Sequence, residues 1–314
     1  RTSPPQTGER GTIKPKAGFN AGDDVAALRN AIEGLGTKEK ILIEILTRRS
    51  SAQRQLLCEA YKEATGRTLV EDLRGDTSGD LEELLVALAT PPAAFDCHQV
   101  MKAMKGAGTN DGILIEIFAS RSNQQIRALT DAYLKGETAG FRRIQLKWFC
   151  SQGKRDESAA VDAEKAKKDA KTLYDAGEKK WGTDESKFVD VLCRRSVPQL
   201  RQTLLEYKNV SGKTLQQSVE GEMSGALEEL LVAIVKCVKS VPAYFAERLH
   251  ASMKGGGTDE STLNRIMVSR SEIDLLDIRA EFKKLYKCSL LSAIKSDLSG
   301  LHGDCVEAIC GGDD

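Results

Sequence analysis

Four short glycine-bearing stretches carry the residues whose types and spacing suit chemistry. Met253-Lys254-Gly255-Gly256-Gly257-Thr258-Asp259-Glu260 runs straight into the apolar helical pattern from Thr262 to Val268. The same device recurs as Gly34-Leu35-Gly36-Thr37-Lys38-Glu39, Gly106-Ala107-Gly108-Thr109-Asn110-Asp111 and Lys180-Trp181-Gly182-Thr183-Asp184-Glu185. Each precedes an apolar run that ends in an arginine: Arg49, Arg121, Arg195 and Arg270. Glycine lacks a Cβ and reaches the positive-φ conformations that aim several carbonyls at one point. Thr258 is placed to cap the following helix, and Asp259 and Glu260 suit its positive end. In three repeats an acid lies 40 residues beyond the last loop glycine, Asp76 after Gly36, Glu222 after Gly182 and Asp297 after Gly257. Asp76-Thr77-Ser78-Gly79, Glu222-Met223-Ser224-Gly225 and Asp297-Leu298-Ser299-Gly300 share the form acid-x-Ser-Gly, a turn opening the next helix. Converging carbonyls and one carboxylate make an all-oxygen set that suits a hard cation such as Ca²⁺. Its roughly 6 to 8 oxygen ligands would be completed by water or by an outside oxygen such as a lipid phosphate.

Each half of the pattern has a plainer meaning by itself. A Gly-x-Gly-Thr turn is ordinarily a helix connection, and acid-x-Ser-Gly ordinarily a helix start. Their constant separation in three repeats is what points to a shared site. A nucleotide-binding phosphate loop is disfavoured, because it needs a preceding strand and a Lys-Ser/Thr end, and neither is present. No loop gathers a nucleophile, a base and an oxyanion donor, so the expectation is a protein that is not an enzyme.

The elements that must position these loops are helices. In the first repeat, Val25, Leu28 and Ile32 share a face, followed by Ile41, Leu42, Ile45 and Leu46, then Leu56, Leu57, Ala60 and Tyr61. Leu69 with Leu73, and Leu81, Leu84, Leu85 and Leu88, complete five short helices of period 3.6. Pro91-Pro92 stops the last of them. No alternating stretch is long enough for a sheet, so the fold class is all-α. Self-similarity at 72 to 75 residues makes this a repeat protein. The expected divisions are an N-terminal tail at 1–20, repeat 1 at 21–90, repeat 2 at 91–150, a linker at 151–160, repeat 3 at 161–238 and repeat 4 at 239–314. The tail, with Pro4-Pro5 and Lys14-Pro15-Lys16 and no periodicity, reads as flexible, and the polar linker divides the repeats two and two. Repeat 2 departs from the plan: Gly136-Glu137-Thr138-Ala139-Gly140 places Glu137 only 29 residues after Gly108, as though the fourth helix were missing.

The 314 residues carry 46 basic and 46 acidic side chains. That balance supplies no bulk field for nucleic acid, so no nucleic-acid partner is expected, and membrane attraction must be local or borrowed from an ion. The eight cysteines are scattered without zinc-site spacing or the density of a secreted scaffold, which predicts reduced thiols. With no apolar run of spanning length and no signal-peptide core, a soluble cytoplasmic monomer is expected; the missing initiator methionine points to further residues upstream.

The loops, the Lys-Gly-x-Gly-Thr-Asp-Glu pattern with its following apolar helix and arginine, and stretches such as Ser269-Arg270-Ser271-Glu272-Ile273-Asp274-Leu275 resemble the annexins over residues 20 to 314. The resemblance implies four repeats of about five helices each, forming a curved disc. Its convex face would hold calcium ions that bridge the protein to anionic phospholipid of the phosphatidylserine kind. It also implies ligand sets. In repeat 1 these are the carbonyls of Ile32, Gly34 and Gly36 with Asp76, and in repeat 3 those of Gly177, Lys180 and Gly182 with Glu222. In repeat 4 they are those of Met253, Gly255 and Gly257 with Asp297, while repeat 2 supplies Met104, Gly106 and Gly108. Asp96, Glu116, Arg121 and Arg270 match positions that line a polar channel in the family; as charges on apolar helices they must pair if buried, and structural ion pairs are expected.

Trp181 has two open placements. At a loop tip its amphipathic ring suits the bilayer interface as a membrane contact, and alternatively it folds back on its own repeat. His98, His250 and His302 stand far from any nucleophile at a suggestive spacing and read as ordinary surface histidines. The expected function is calcium-dependent, peripheral binding to anionic membranes, in membrane organisation or trafficking. A calcium-independent helical-repeat scaffold for protein partners is the alternative.

Overall fold

A computed structural model describes residues 10–33, 36–105, 109–135, 152–178 and 183–312. Among them lie 18 α-helices and one 3₁₀ turn, Gln152–Lys154, and no strand. Repeat 1 contains α1 (Ala21–Ile32), α2 (Glu39–Thr47), α3 (Ser51–Thr65), α4 (Leu69–Asp76) and α5 (Gly79–Ala89). Repeat 2 contains α6 (Pro92–Met104), α7 (Asp111–Ser120) and α8 (Asn123–Lys135). Repeat 3 follows with α9 (Ala163–Ala176), α10 (Glu185–Arg194), α11 (Val197–Ser211), α12 (Leu215–Glu222) and α13 (Gly225–Lys239). Repeat 4 has α14 (Val241–Ser252), α15 (Glu260–Arg270), α16 (Leu275–Tyr286), α17 (Leu290–Asp297) and α18 (Gly300–Cys310).

The same local grammar builds each repeat. The third helices of repeats 1 and 3 start on a serine, with Ser50 accepting from Gln53 N–H and Ser196 from Gln199 N–H, whereas that of repeat 4 starts on Asp274 without a side-chain cap bond. They end on a left-handed residue, Gly66 at φ 74° and Gly212 at φ 73°, a place taken in repeat 4 by Lys287 at φ 63°. Fourth helices are capped by Thr68, Thr214 and Ser289, whose hydroxyls accept from the N–H three residues on. A third-helix arginine then donates to a carbonyl near the end of the fifth: Arg54 Nε to Leu88 at 2.6 Å, Arg201 Nε to Val238 at 2.8 Å and Arg279 Nη1 to Cys310 at 2.9 Å. Leu28, Leu42, Leu46, Leu57, Leu73 and Leu84 are fully buried in repeat 1, each worth roughly 1.5–3 kcal/mol relative to exposure.

The chain divides into two compact units. One comprises residues 1–95 and 245–314, so repeats 1 and 4 form it together, and the other comprises residues 96–244. In the first, α2 packs on α18 and α5 on α15; in the second, α7 packs on α13. The division expected at residues 151–160 therefore falls inside the second unit rather than between two units. The physical reason is that second and fifth helices carry apolar residues on more than one face and bury them against a partner repeat.

The described part of the N-terminal segment is a docked strap, not a flexible tail. Thr12 and Ile13 N–H both donate to Ser271 O, at 2.7 and 3.1 Å, and Leu276 N–H donates to Arg10 O at 2.9 Å. Thr12 Oγ1 donates to Ile309 O at 2.7 Å, and Ile13 is 5% exposed. Gly11 makes this approach possible, since a Cβ there would sit 2.5 Å from the backbone of Glu272. The strap has no helical period because its partners are backbone groups of Ser271, Leu276 and Ile309, some 260 to 300 residues away.

Candidate functional site

The four glycine loops close in one way. The N–H of the residue before each second helix donates to a carbonyl in the last turn of the first: Lys38 to Ala31 at 2.9 Å, and Asn110 to Ala103, Asp184 to Ala176 and Asp259 to Ser252, each at 2.8 Å. The bond spans seven residues in repeats 1, 2 and 4 and eight in repeat 3, whose loop is one residue longer. At the far ends of the same helix pairs, buried carboxylates grip the terminal arginines. Asp24 binds Arg49 at 2.6 and 2.7 Å, Asp96 binds Arg121 at 2.8 and 2.9 Å, and Asp169 binds Arg195 at 2.7 and 2.9 Å. Repeat 4 differs: Phe245 replaces the acid and lies 4.9 Å beneath the Arg270 guanidinium, while Asp274 supplies the carboxylate at 2.8 and 2.6 Å. Of the residues matched to a polar channel, Asp96, Arg121 and Arg270 are thus in structural pairs, and Glu116 is fully buried.

Each acid of the acid-x-Ser-Gly motif is the last residue of its fourth helix: Asp76 of α4, Glu222 of α12 and Asp297 of α17. The motif therefore closes one helix before it opens the next. Ser78, Ser224 and Ser299 occupy the cap position of the fifth helix without a side-chain cap bond, and Gly79, Gly225 and Gly300 take φ of 63°, 75° and 68°. That left-handed step, open to glycine at little cost, explains the invariable glycine of the motif. A carboxylate at a helix C-terminus faces the negative end of the peptide dipoles, where cations are favoured.

Repeat 4 shows how loop and acid meet. Thr258 Oγ1 donates to Asp297 Oδ2 at 2.5 Å across 39 residues of sequence. Thr258 was expected to cap α15, but that helix begins at Glu260, so Asp259 is its cap and accepts from Thr262 N–H at 3.0 Å. The threonine hydroxyl is thereby left for the carboxylate. Met253, Gly255 at φ 128° and Gly257 lie in this loop, and their carbonyls accept no hydrogen bond among the described residues. In repeat 3, Thr183 Oγ1 donates to Glu222 O at 3.2 Å. Gly177 follows α9 directly, whereas Lys180, Trp181 and Gly182 lie outside the described residues. In repeat 1, Ile32 ends α1 and Gly36 has φ 85°, while Gly34 lies outside. Met104 ends α6; Gly106, Gly108 and Glu137 lie outside. Among the described residues no three His, Cys, Asp or Glu side chains cluster to hold a metal.

The histidines are less ordinary than expected. His98 is exposed, but His250 stacks on Tyr286 with ring centroids 3.7 Å apart, and His302 Nε2 lies 2.8 Å from Oδ1 of buried Asn264. Burial pushes the His302 imidazole below its usual pKa.

The annexin family model matches residues 23–88, 95–136, 168–234 and 244–309, one stretch for each repeat. This chain is an annexin. It is 54% identical to Annexin A3 of Homo sapiens, covering 98% of each chain, and 48% identical to Annexin A4 of Bos taurus, covering 97% of this chain and 98% of that one. Among solved structures, annexin III superposes with TM-score 0.92 at 54% identity, covering 98% of this chain and 99% of that one. A calcium-bound annexin (Sm)1 gives 0.83 at 35% identity, covering 98% and 95%. In this annexin the second matched stretch stops at residue 136, whereas the other three run into the fifth helix. No described helix is long and apolar enough to cross a membrane.

Proposed function

We propose that this annexin binds anionic phospholipid peripherally, through calcium ions held by the glycine loops and the fourth-helix carboxylates, and does no covalent chemistry. Family membership implies calcium-dependent phospholipid binding in general. The observation that carries the reading for this chain is the Thr258–Asp297 hydrogen bond, which joins the free carbonyls of Met253, Gly255 and Gly257 to a carboxylate. The donor set fits calcium: neutral oxygens dominate, with one anionic partner whose position at a helix C-terminus favours a cation. Calcium, when bound, supplies positive charge and open coordination positions that phosphate oxygens can fill. The ligands proposed are Ile32, Gly34, Gly36 and Asp76; Gly177, Lys180, Gly182 and Glu222; and Met253, Gly255, Gly257 and Asp297, with Met104, Gly106 and Gly108 forming a weaker site in repeat 2.

Several weak sites on one protein act together, because the first attachment raises the effective concentration of the rest. The protein is accordingly a monomer in the cytoplasm that moves to membranes when calcium rises, and Trp181 enters the headgroup layer beside its loop. Co-sedimentation with phosphatidylserine vesicles tests this: pelleting in millimolar calcium and release by chelator are expected. Equal pelleting in both would refute it and favour the calcium-independent scaffold. In a Trp148→Phe background, Trp181 emission should shift to the blue when calcium and vesicles are added together.

A further inference from the structure

In repeat 1, the base of the fourth helix is held by Asp72, which accepts from Tyr61 Oη at 2.7 Å and pairs with Arg67 Nε at 2.6 Å. At the same register in repeat 3 stand Tyr207, Lys213 and, in place of the aspartate, Ser218. The missing carboxylate is supplied from the loop. Glu178 accepts from Lys213 Nζ at 3.0 and 3.1 Å and from Ser218 Oγ at 2.9 Å. Its side chain is 17% exposed, and these two donors hold its carboxyl below the usual range. Repeat 4 has Phe282, Cys288 and Ala293 at these positions and no such anchor.

Glu178 directly follows Gly177, and Ser218 lies one helical turn before Glu222 on α12. Resting on the calcium reading above, we propose that Glu178 is a positioning residue of the repeat 3 site: it ties the loop residue Gly177 to the helix that carries the Glu222 carboxylate. Thr183, tied to Glu222 O, fixes the other end of the same loop. The closing bond of this loop spans eight residues against seven in the other repeats, and holding Gly177 in place before an ion arrives lowers the cost of binding.

The test uses the full chain in the Trp148→Phe background, with calcium by calorimetry and terbium luminescence sensitised by Trp181 as probes. Glu178→Gln, Lys213→Met and Ser218→Ala should each raise the half-saturating concentration at this site about three- to tenfold, and Lys213→Arg should recover most of the Lys213→Met loss. The lysine variant separates tethering from charge. If Lys213 acted only as a nearby cation, its removal would tighten binding, and that result would overturn the proposal. In chelator, the Gly177 and Asp184 amides, which donate to Leu173 O and Ala176 O, should exchange faster in Glu178→Gln. Unchanged exchange and unchanged affinity would also overturn it. Glu222→Gln serves as the reference: a large loss there with none in Glu178→Gln refutes the tether alone, and no loss at Glu222 refutes the calcium site and the tether together.

Discussion

Replacing Asp76 by asparagine keeps the shape of the side chain and removes a negative charge from the last residue of α4. In chelator that change relieves repulsion with the C-terminal end of an eight-residue helix. The effect is about 0.3–1 kcal/mol at low salt, and because Asp76 is exposed, screening holds it to the lower end. In calcium the sign reverses. A site at about 100 times its dissociation constant contributes about 2.7 kcal/mol of stability by mass action, and a tenfold loss of affinity removes about 1.4 kcal/mol. With about 2 °C of midpoint per kcal/mol for a chain of this size, Asp76→Asn should melt slightly higher than the unaltered protein in chelator and about 2–3 °C lower in calcium. Scanning calorimetry in both conditions measures this crossing, and vesicle co-sedimentation measures the accompanying rise in half-maximal calcium. A midpoint lowered equally in chelator and calcium would show that Asp76 supports the fold and not an ion, and the reasoning would fail.

Further outcomes follow from the same geometry. Glu137→Gln should leave the half-maximal calcium for vesicle binding nearly unchanged, since Glu137 stands 29 rather than 40 residues from its loop; a rise equal to that of Asp76→Asn would make it a full ligand. Asp24→Asn removes the ionised partner of the Arg49 side chain, 7% exposed, and should cost about 3–5 kcal/mol in urea unfolding, whereas Arg10→Ala, from a pair 48% and 27% exposed, should cost under about 1 kcal/mol. His302 has its folded pKa below the unfolded value, so its contribution is present above about pH 6.5 and is lost as pH falls through the folded pKa. His302→Gln should flatten the stability–pH profile below about pH 6.5, and an unaltered slope would assign the acid sensitivity to other groups.

The all-α class, the four repeats and both halves of the candidate site were legible as pattern. A 3.6-residue period appears wherever one helix face is buried, and glycine recurs where the backbone must turn left-handed, as at Gly79, Gly225 and Gly300. Local chemistry of that kind is written in neighbouring residues. The pairing of repeats 1 and 4 was not legible, because α2 on α18 and α5 on α15 are contacts between surfaces with no shared local signature. Nor was the docked strap, whose partners are backbone N–H and carbonyl groups that every sequence possesses.

The spacing of 40 residues announced that loop and acid belong together, but which atoms join them was decided by helix boundaries. One residue of difference in where α15 begins passes the capping role to Asp259 and turns Thr258 toward Asp297. Substitutions across repeats acted likewise: serine for aspartate at 218 left a donor that only the fold brings to Glu178, and phenylalanine for aspartate at 245 left an arginine that Asp274 satisfies. Sequence by itself determined the periods, turns and residue types of this protein. Tertiary structure decided the partners, because a buried charge or hydroxyl must find an opposite within hydrogen-bond reach, whatever its distance along the chain.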